Sequence, residues 1–198
     1  MGGSFDPIHV GHLIIAEEAK VELDLARVIF IPAGQPYFKE GRDVAPAHHR
    51  LEMVRLAIAS NPHFQMSAVE INKPGFSYSV DTLEVLRGEL GEDREIYFIL
   101  GWDSIVTLPQ WKDLGWLLKL CKLVGVPRPG WARPDLEELE SAAPGALKRI
   151  TLLNRPLMDI SSTEIRSRIS RSVSVRYLVS RDVEEYITKH GLYEAVTQ

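Results

Sequence analysis

The residues best suited to chemistry stand at the start of the chain: Gly2-Gly3-Ser4-Phe5-Asp6-Pro7-Ile8-His9-Val10-Gly11-His12. The two glycines let backbone approach a ligand closely, and Asp6-Pro7 suits a turn or the start of a helix. Behind them Ile15, Ala16, Ala19 and Leu23 recur at helical spacing, with Glu17, Lys20 and Asp24 on another face, so an amphipathic helix follows. That helix places His9 and His12 on one face at its beginning. Donors gathered at a helix N-terminus bind anions, phosphate above all. Taken alone, the same residues also fit a glycine-rich turn with two histidines capping a helix.

A second candidate lies near the other end, in Asp159-Ile160-Ser161-Ser162-Thr163-Glu164-Ile165-Arg166. Ser161 and Glu164 have capping-box spacing, so a helix starts here. Its unpaired N–H groups, the hydroxyls of Ser161, Ser162 and Thr163, and the Arg166 guanidinium can clasp phosphate oxygens. The plain alternative is a capped helix with a surface arginine.

Neither motif is a P-loop, which ends in Gly-Lys-Ser/Thr, or a Gly-x-Gly-x-x-Gly dinucleotide turn. The opening resembles the His-x-Gly-His signature of the nucleotidyltransferase superfamily, in the Gly-Gly-x-Phe-Asp-Pro-Ile-His form of nicotinate-nucleotide adenylyltransferases. Ser161, Thr163 and Arg166 match that family's Ser-x-Thr-x-x-Arg motif without a gap. The resemblance runs from Gly2 to about Tyr193 and is weakest across Pro127 to Gly145.

The resemblance implies transfer of AMP from ATP to nicotinate mononucleotide, giving deamido-NAD and pyrophosphate. It assigns His9, His12, Lys39 and Arg166 to the phosphates as catalytic groups. Around ATP it implies Gly2, Gly3, Ser4, Phe5, Gly101, Asp103, Ser161, Ser162 and Thr163, with Phe5 near the adenosine and Asp103 accepting from ribose hydroxyls. Trp111 would stack on the pyridine ring, and N–H groups around Ser79 and Lys112 would take the carboxylate. Relatives often carry an aromatic residue where this chain has Lys112, and a cation there favours an acid over an amide. In the usual Pro-Pro-His-Lys stretch Lys39 aligns, while Tyr37 and Phe38 depart from the pattern. Mg2+ is expected with the triphosphate, held mainly by phosphates and water rather than by a protein metal site. The rival acceptors are nicotinamide mononucleotide and phosphopantetheine; a rival of another class is a nucleotide-binding sensor without turnover.

With 198 residues, 45% of them hydrophobic, the chain is long enough for one well-buried domain over residues 1–198, residues 161–198 forming a helical C-terminal part. A net charge of −4 argues against a general nucleic-acid or membrane-surface binder. No run is apolar enough to span a membrane and no signal peptide opens the chain, so a cytoplasmic location is expected. The single cysteine, Cys121, excludes an internal disulfide and a cysteine-based zinc site and reads as core.

Strands are predicted at 27–32, 64–71, 95–101, 121–126 and 148–153, alternating with helices that include 46–60 and a stretch ending near Leu90. The pattern argues an α/β fold, a doubly wound parallel sheet of Rossmann-like nucleotidyltransferase type, closed by two or three C-terminal helices. Residues 127–145 read as a surface excursion around a short acidic helix. Only Met1 precedes the opening loop, where the family carries a short apolar strand. The expectation is a strand upstream of Met1 or another segment covering the gap, with stability and the hold on the loop reduced otherwise.

Overall fold

The computed structural model describes residues 1–36 and 44–195. Strands and helices alternate in the order β1 (Gly2–Gly3), α1 (Val10–Glu22), β2 (Val28–Pro32), β3 (Gln35–Pro36), α2 (Ala47–Ile58), β4 (Phe64–Met66), β5 (Phe76–Ser77) and α3 (Ser79–Leu90). They continue with β6 (Tyr97–Gly101), α4 (Trp102–Thr107), α5 (Leu114–Leu120), β7 (Lys122–Val126), α6 (Glu137–Ala142), β8 (Ile150–Leu152), α7 (Ser162–Ser170) and α8 (Arg181–Lys189). All pairings of the described strands are parallel, in the orders β1-β2-β4, β3-β5 and β6-β7-β8.

The strands of the second half show why the sheet is wound on both faces. In β6, Phe98 and Leu100 pack into one core with Leu83, Leu108 and Leu117, while Ile99 packs into another with Phe5, Ile8, Phe30 and Val54. In β7, Leu123 joins the former core, and Val124 and Val126 join the latter. Side chains of a strand alternate between faces, so a strand apolar at every position requires cover on both sides. α7 and α8 supply part of it, with Ile165, Val183 and Ile187 buried in the core shared with Phe5.

Two sequence expectations change. The opening strand is present as a two-residue stub: Gly2 pairs with Ile31 and Gly3 with Pro32, extended by Ile31 N–H to Met1 O at 2.9 Å and Ala33 N–H to Gly3 O at 2.8 Å. Its other side lies against β6, where a Cβ on Gly2 would stand 3.5 Å from the Phe98 ring. The strand predicted at 64–71 stops at Met66, because the chain turns: Val69 N–H finds Ser67 Oγ and Asn72 N–H finds Ala68 O. Residues 127–145 form the expected surface excursion around a short acidic helix, α6, and contacts pin that excursion to the fold. Leu139 is buried in the core, and the Glu140 carboxylate accepts from Gly145 N–H at 2.7 Å and Leu147 N–H at 2.9 Å. No described helix is long and apolar enough to cross a membrane.

Candidate active site

The carboxyl ends of β1, β2, β6 and β7 lead into the segments that carry the candidate residues. After β1 the chain turns inward, not into a helix at Pro7: Phe5, Asp6, Pro7, Ile8 and His9 are all buried and α1 begins at Val10. The Phe5 ring lies in the core, 2% exposed, with its edge against His12 at 5.0 Å and tilted on Phe30 at 5.9 Å. The ring is thus packed beneath the loop, against His12 and Phe30, rather than standing exposed at the strand end.

His9 is the extended N-cap of α1, and its N–H donates to Nδ1 of His12 at 3.2 Å. The two rings stack at 3.6 Å with 24° between their planes. Gly11 makes this possible, since a Cβ there would stand 3.0 Å from His9 Nδ1. A main-chain N–H can only donate, so Nδ1 of His12 is an acceptor and neutral His12 carries its proton on Nε2. Burial, with the Arg128 charge adding to it, lowers His9 from 6.5 to about 4, so this ring is neutral at pH 7.

The C-terminal motif meets this loop across the whole length of the chain. Ser161 Oγ caps α7 by accepting from Glu164 N–H at 3.1 Å. Ser162 Oγ then donates to Pro7 O at 2.9 Å, and Arg166 Nη1 donates to Asp6 O at 2.8 Å while standing 3.6 Å from Asp6 Oδ2. The N-terminus of α7, with its partial positive charge, is thereby fixed against the histidine loop. Asp6 Oδ1 accepts from Tyr193 O–H at 2.8 Å and Ala45 N–H at 3.1 Å.

Past β6, Asp103 folds back over the strand end, so that a Cβ on Gly101 would collide with Asp103 Oδ1. Asp103 Oδ2 pairs with Arg128 Nη1 at 2.5 Å, and Oδ1 is buried with no hydrogen-bond partner among the described residues. Arg128 follows the carboxyl end of β7, close enough to His9 for its charge to be felt there. One cation thus lies between the imidazole pair and the carboxylate expected to hold ribose.

The expected nicotinate residues also converge. Ser79 opens α3, and Asp81 two residues on takes Lys112 Nζ at 3.0 Å and Lys73 Nζ at 2.6 Å. Lys112 Nζ lies 4.8 Å from the Tyr78 ring centroid, a cation–π distance. The half-buried Trp111 donates through Nε1 to Thr107 Oγ1 at 3.2 Å and meets Phe98 edge-on at 6.4 Å. Ser79 and Lys112 are joined through Asp81, and Trp111 and Tyr78 pack on the same core. Lys39 lies outside the described residues.

Residues 1–168 match the cytidylyltransferase-like family model. A Dehalococcoides mccartyi protein named "Probable nicotinate-nucleotide adenylyltransferase" is 47% identical over 193 residues, 98% of this chain and 95% of its own. One of the same name from Thermomicrobium roseum is 46% identical over 195 residues, 98% of this chain and 90% of its own. This chain belongs to the nicotinate-nucleotide adenylyltransferase family. It shares its Rossmann-like fold with the Plasmodium falciparum nicotinic acid mononucleotide adenylyltransferase complexed with NaAD, at a TM-score of 0.78 and 21% identity over 97% of this chain and 94% of that one. The same enzyme complexed with APC aligns at a TM-score of 0.74.

Three residues of this adenylyltransferase-family site escape a reading of the sequence. Arg128 had a signal, since a cation directly after a strand's carboxyl end is where ligands of such sheets gather. Arg50 in α2 and Tyr193 near the C-terminus had none, because their partners are main-chain groups and a carboxylate remote in sequence.

Proposed function

We propose that this chain transfers AMP from ATP to nicotinate mononucleotide, releasing deamido-NAD and pyrophosphate. The observation that carries the reading is the junction of the two phosphate motifs, Ser162 on Pro7 and Arg166 on Asp6, which sets one helix N-terminus beside the His9–His12 pair. The acceptor's identity comes from the relatives, whose name specifies the nicotinate nucleotide.

In the reaction a phosphate oxygen of nicotinate mononucleotide attacks the α-phosphorus of ATP. The new P–O bond forms as the bond from the α-phosphorus to the bridging oxygen of pyrophosphate breaks. The nucleophile is already ionised at neutral pH, so no general base is needed, and catalysis consists of aligning two polyanions and meeting charge on the moving phosphoryl oxygens. His12 donates from Nε2 to the α-phosphate, and neutral His9 holds it in register. The α7 N–H groups, Ser161, Ser162, Thr163 and Arg166 meet the leaving pyrophosphate. Lys39 adds a cation.

The glycines at 2, 3 and 101 let nucleotide approach the strand ends, and Asp103 receives the ribose hydroxyls once Arg128 turns to phosphate. Trp111 stacks on the pyridine, with the N–H groups near Ser79 and Lys112 on its carboxylate. The donors of this site are N–H, hydroxyl, imidazole and guanidinium, which suit phosphate oxygens. Mg2+ would come with the triphosphate, held mainly by phosphate and water, and would supply charge neutralisation. Soluble nucleotide substrates go with a cytoplasmic location.

The test is pyrophosphate release from ATP and Mg2+ with nicotinate mononucleotide, its amide and phosphopantetheine compared as acceptors. Preference for the nicotinate acid is the expected result. Turnover only with another acceptor overturns the substrate, and binding of ATP without turnover on any acceptor makes the chain a nucleotide sensor.

A further inference from the structure

Arg50, in the first turn of α2, is 2% exposed. Each nitrogen of its guanidinium donates to a main-chain carbonyl: Nε to Ala45 at 2.9 Å, Nη1 to Ser4 at 2.9 Å and Nη2 to Gly34 at 3.1 Å. These carbonyls belong to three separate connections: the loop after β1, the loop after β2 and the turn into α2. Holding a helix on a core does not call for this. A hydrocarbon side chain packs there without the desolvation that a buried cation suffers. Burial lowers the guanidinium from its ordinary value while Asp6, Tyr193 and Glu70 push it back, and it remains a cation.

The effect of the fork on the loop follows from peptide planarity. With the Ser4 carbonyl turned into the guanidinium, the N–H of Phe5 points the opposite way, out of the clamp. Phe5 itself has φ of +47°, a left-handed conformation that a bulky residue keeps only where its surroundings hold it. The next residue, Asp6, is closed from the other side by Tyr193 and Ala45.

We propose that Arg50 is a positioning residue of the phosphate site. Its fork sets the peptide orientation at Ser4, ties that peptide to Gly34 and Ala45, and with the Asp6–Tyr193 bond presents the loop's donors in one arrangement before ATP arrives. The inference rests on the reading of this loop as the ATP-phosphate site.

Arg50→Lys keeps the charge and loses the fork. The expected result, at a temperature well below its Tm, is a fall of about 30-fold or more in kcat/KM for ATP and of about 10-fold in affinity for a non-hydrolysable ATP analogue. KM for nicotinate mononucleotide stays within about threefold. A variant with lowered Tm but ATP constants within about twofold of wild type is merely destabilised, and the inference falls. If Arg50→Lys does not fold, Tyr193→Phe decides, by the same ATP-directed loss of about 3- to 10-fold or by its absence. Wild-type protein that turns over no acceptor defeats adenylyl transfer instead, and analogue affinity still decides the role of Arg50.

Discussion

Nδ1 of His12 accepts the main-chain N–H of His9 at 3.2 Å, so the chain fixes the tautomer of one imidazole with the backbone of the other. A donor prearranged in this way serves the transition state more than the ground state, because the charge it meets grows as the α-phosphorus changes partners. His12→Ala is expected to lower kcat by about 10²- to 10³-fold while the dissociation constant for an ATP analogue moves by less than about fivefold. Single-turnover kinetics beside calorimetry measures both. Equal losses in each would remove His12 from the transition state.

His9 supplies a pH test. Its folded value is about 4 against 6.5 for a free histidine. Below pH 6.5 the unfolded chain takes up a proton that the folded chain refuses, so stability present above 6.5 is lost as pH falls toward 4. The difference is worth at most roughly 3 kcal/mol. Denaturant melts between pH 7 and pH 4 should therefore slope less for His9→Gln than for wild type. Parallel slopes would mean that the folded ring protonates near its ordinary value.

Arg128 and Asp103 separate stability from function. Their ion pair is largely solvent-exposed on the arginine side, 54% against 24%, and such pairs contribute at most about 1 kcal/mol. Arg128→Ala should leave Tm nearly unchanged, raise the His9 pKa by removing a neighbouring cation, and lower kcat/KM for ATP by about 10²-fold. NMR titration of the His9 ring and initial rates check the two effects in one variant. An unshifted ring with full activity would leave Arg128 as a surface contact.

At the end proposed for the acceptor, Lys112 is held by Asp81 and lies over Tyr78. Lys112→Met keeps the main-chain N–H and removes only the charge. The expected loss is about 3- to 10-fold in preference for nicotinate over nicotinamide mononucleotide, carried by KM. Competition between the two acceptors in one reaction measures this ratio directly. An unchanged ratio assigns selectivity to the main chain alone.

How much of this was legible in the sequence follows from the distance over which each contact acts. His9 and His12 are three apart on one helix start, and Ser161 caps Glu164 within a turn, so spacing alone placed them. The alternate packing of Phe98, Ile99 and Leu100 was visible as an unbroken apolar strand. The burial of the Phe5 ring was not legible, because it goes with a left-handed φ that no neighbour in sequence announces. Met1–Gly3 looked too short to be a strand; it pairs because β2 offers its edge at Ile31 and Pro32. Arg50 and Tyr193 were silent for the same reason, since the loop groups they hold, Ser4 and Asp6, lie 46 and 187 residues away.

Gly11 sets helix propensity against the site. Glycine near the start of a helix ordinarily gives way to alanine with a gain of about 0.5–1 kcal/mol. Here an added Cβ would stand 3.0 Å from His9 Nδ1 and 3.6 Å from the Ile160 side chain, closer to the ring than such contacts normally allow. The His9 ring must tilt, and with it the face stacked on His12. Gly11→Ala is therefore expected to fold with a Tm within a few degrees of wild type and to lose at least about tenfold in kcat, because the two opposing terms nearly cancel in stability but not in geometry. Thermal melts and steady-state rates on the same sample check it. Full activity in a stabilised Gly11→Ala protein would show that the stacking of the two rings is not needed for transfer.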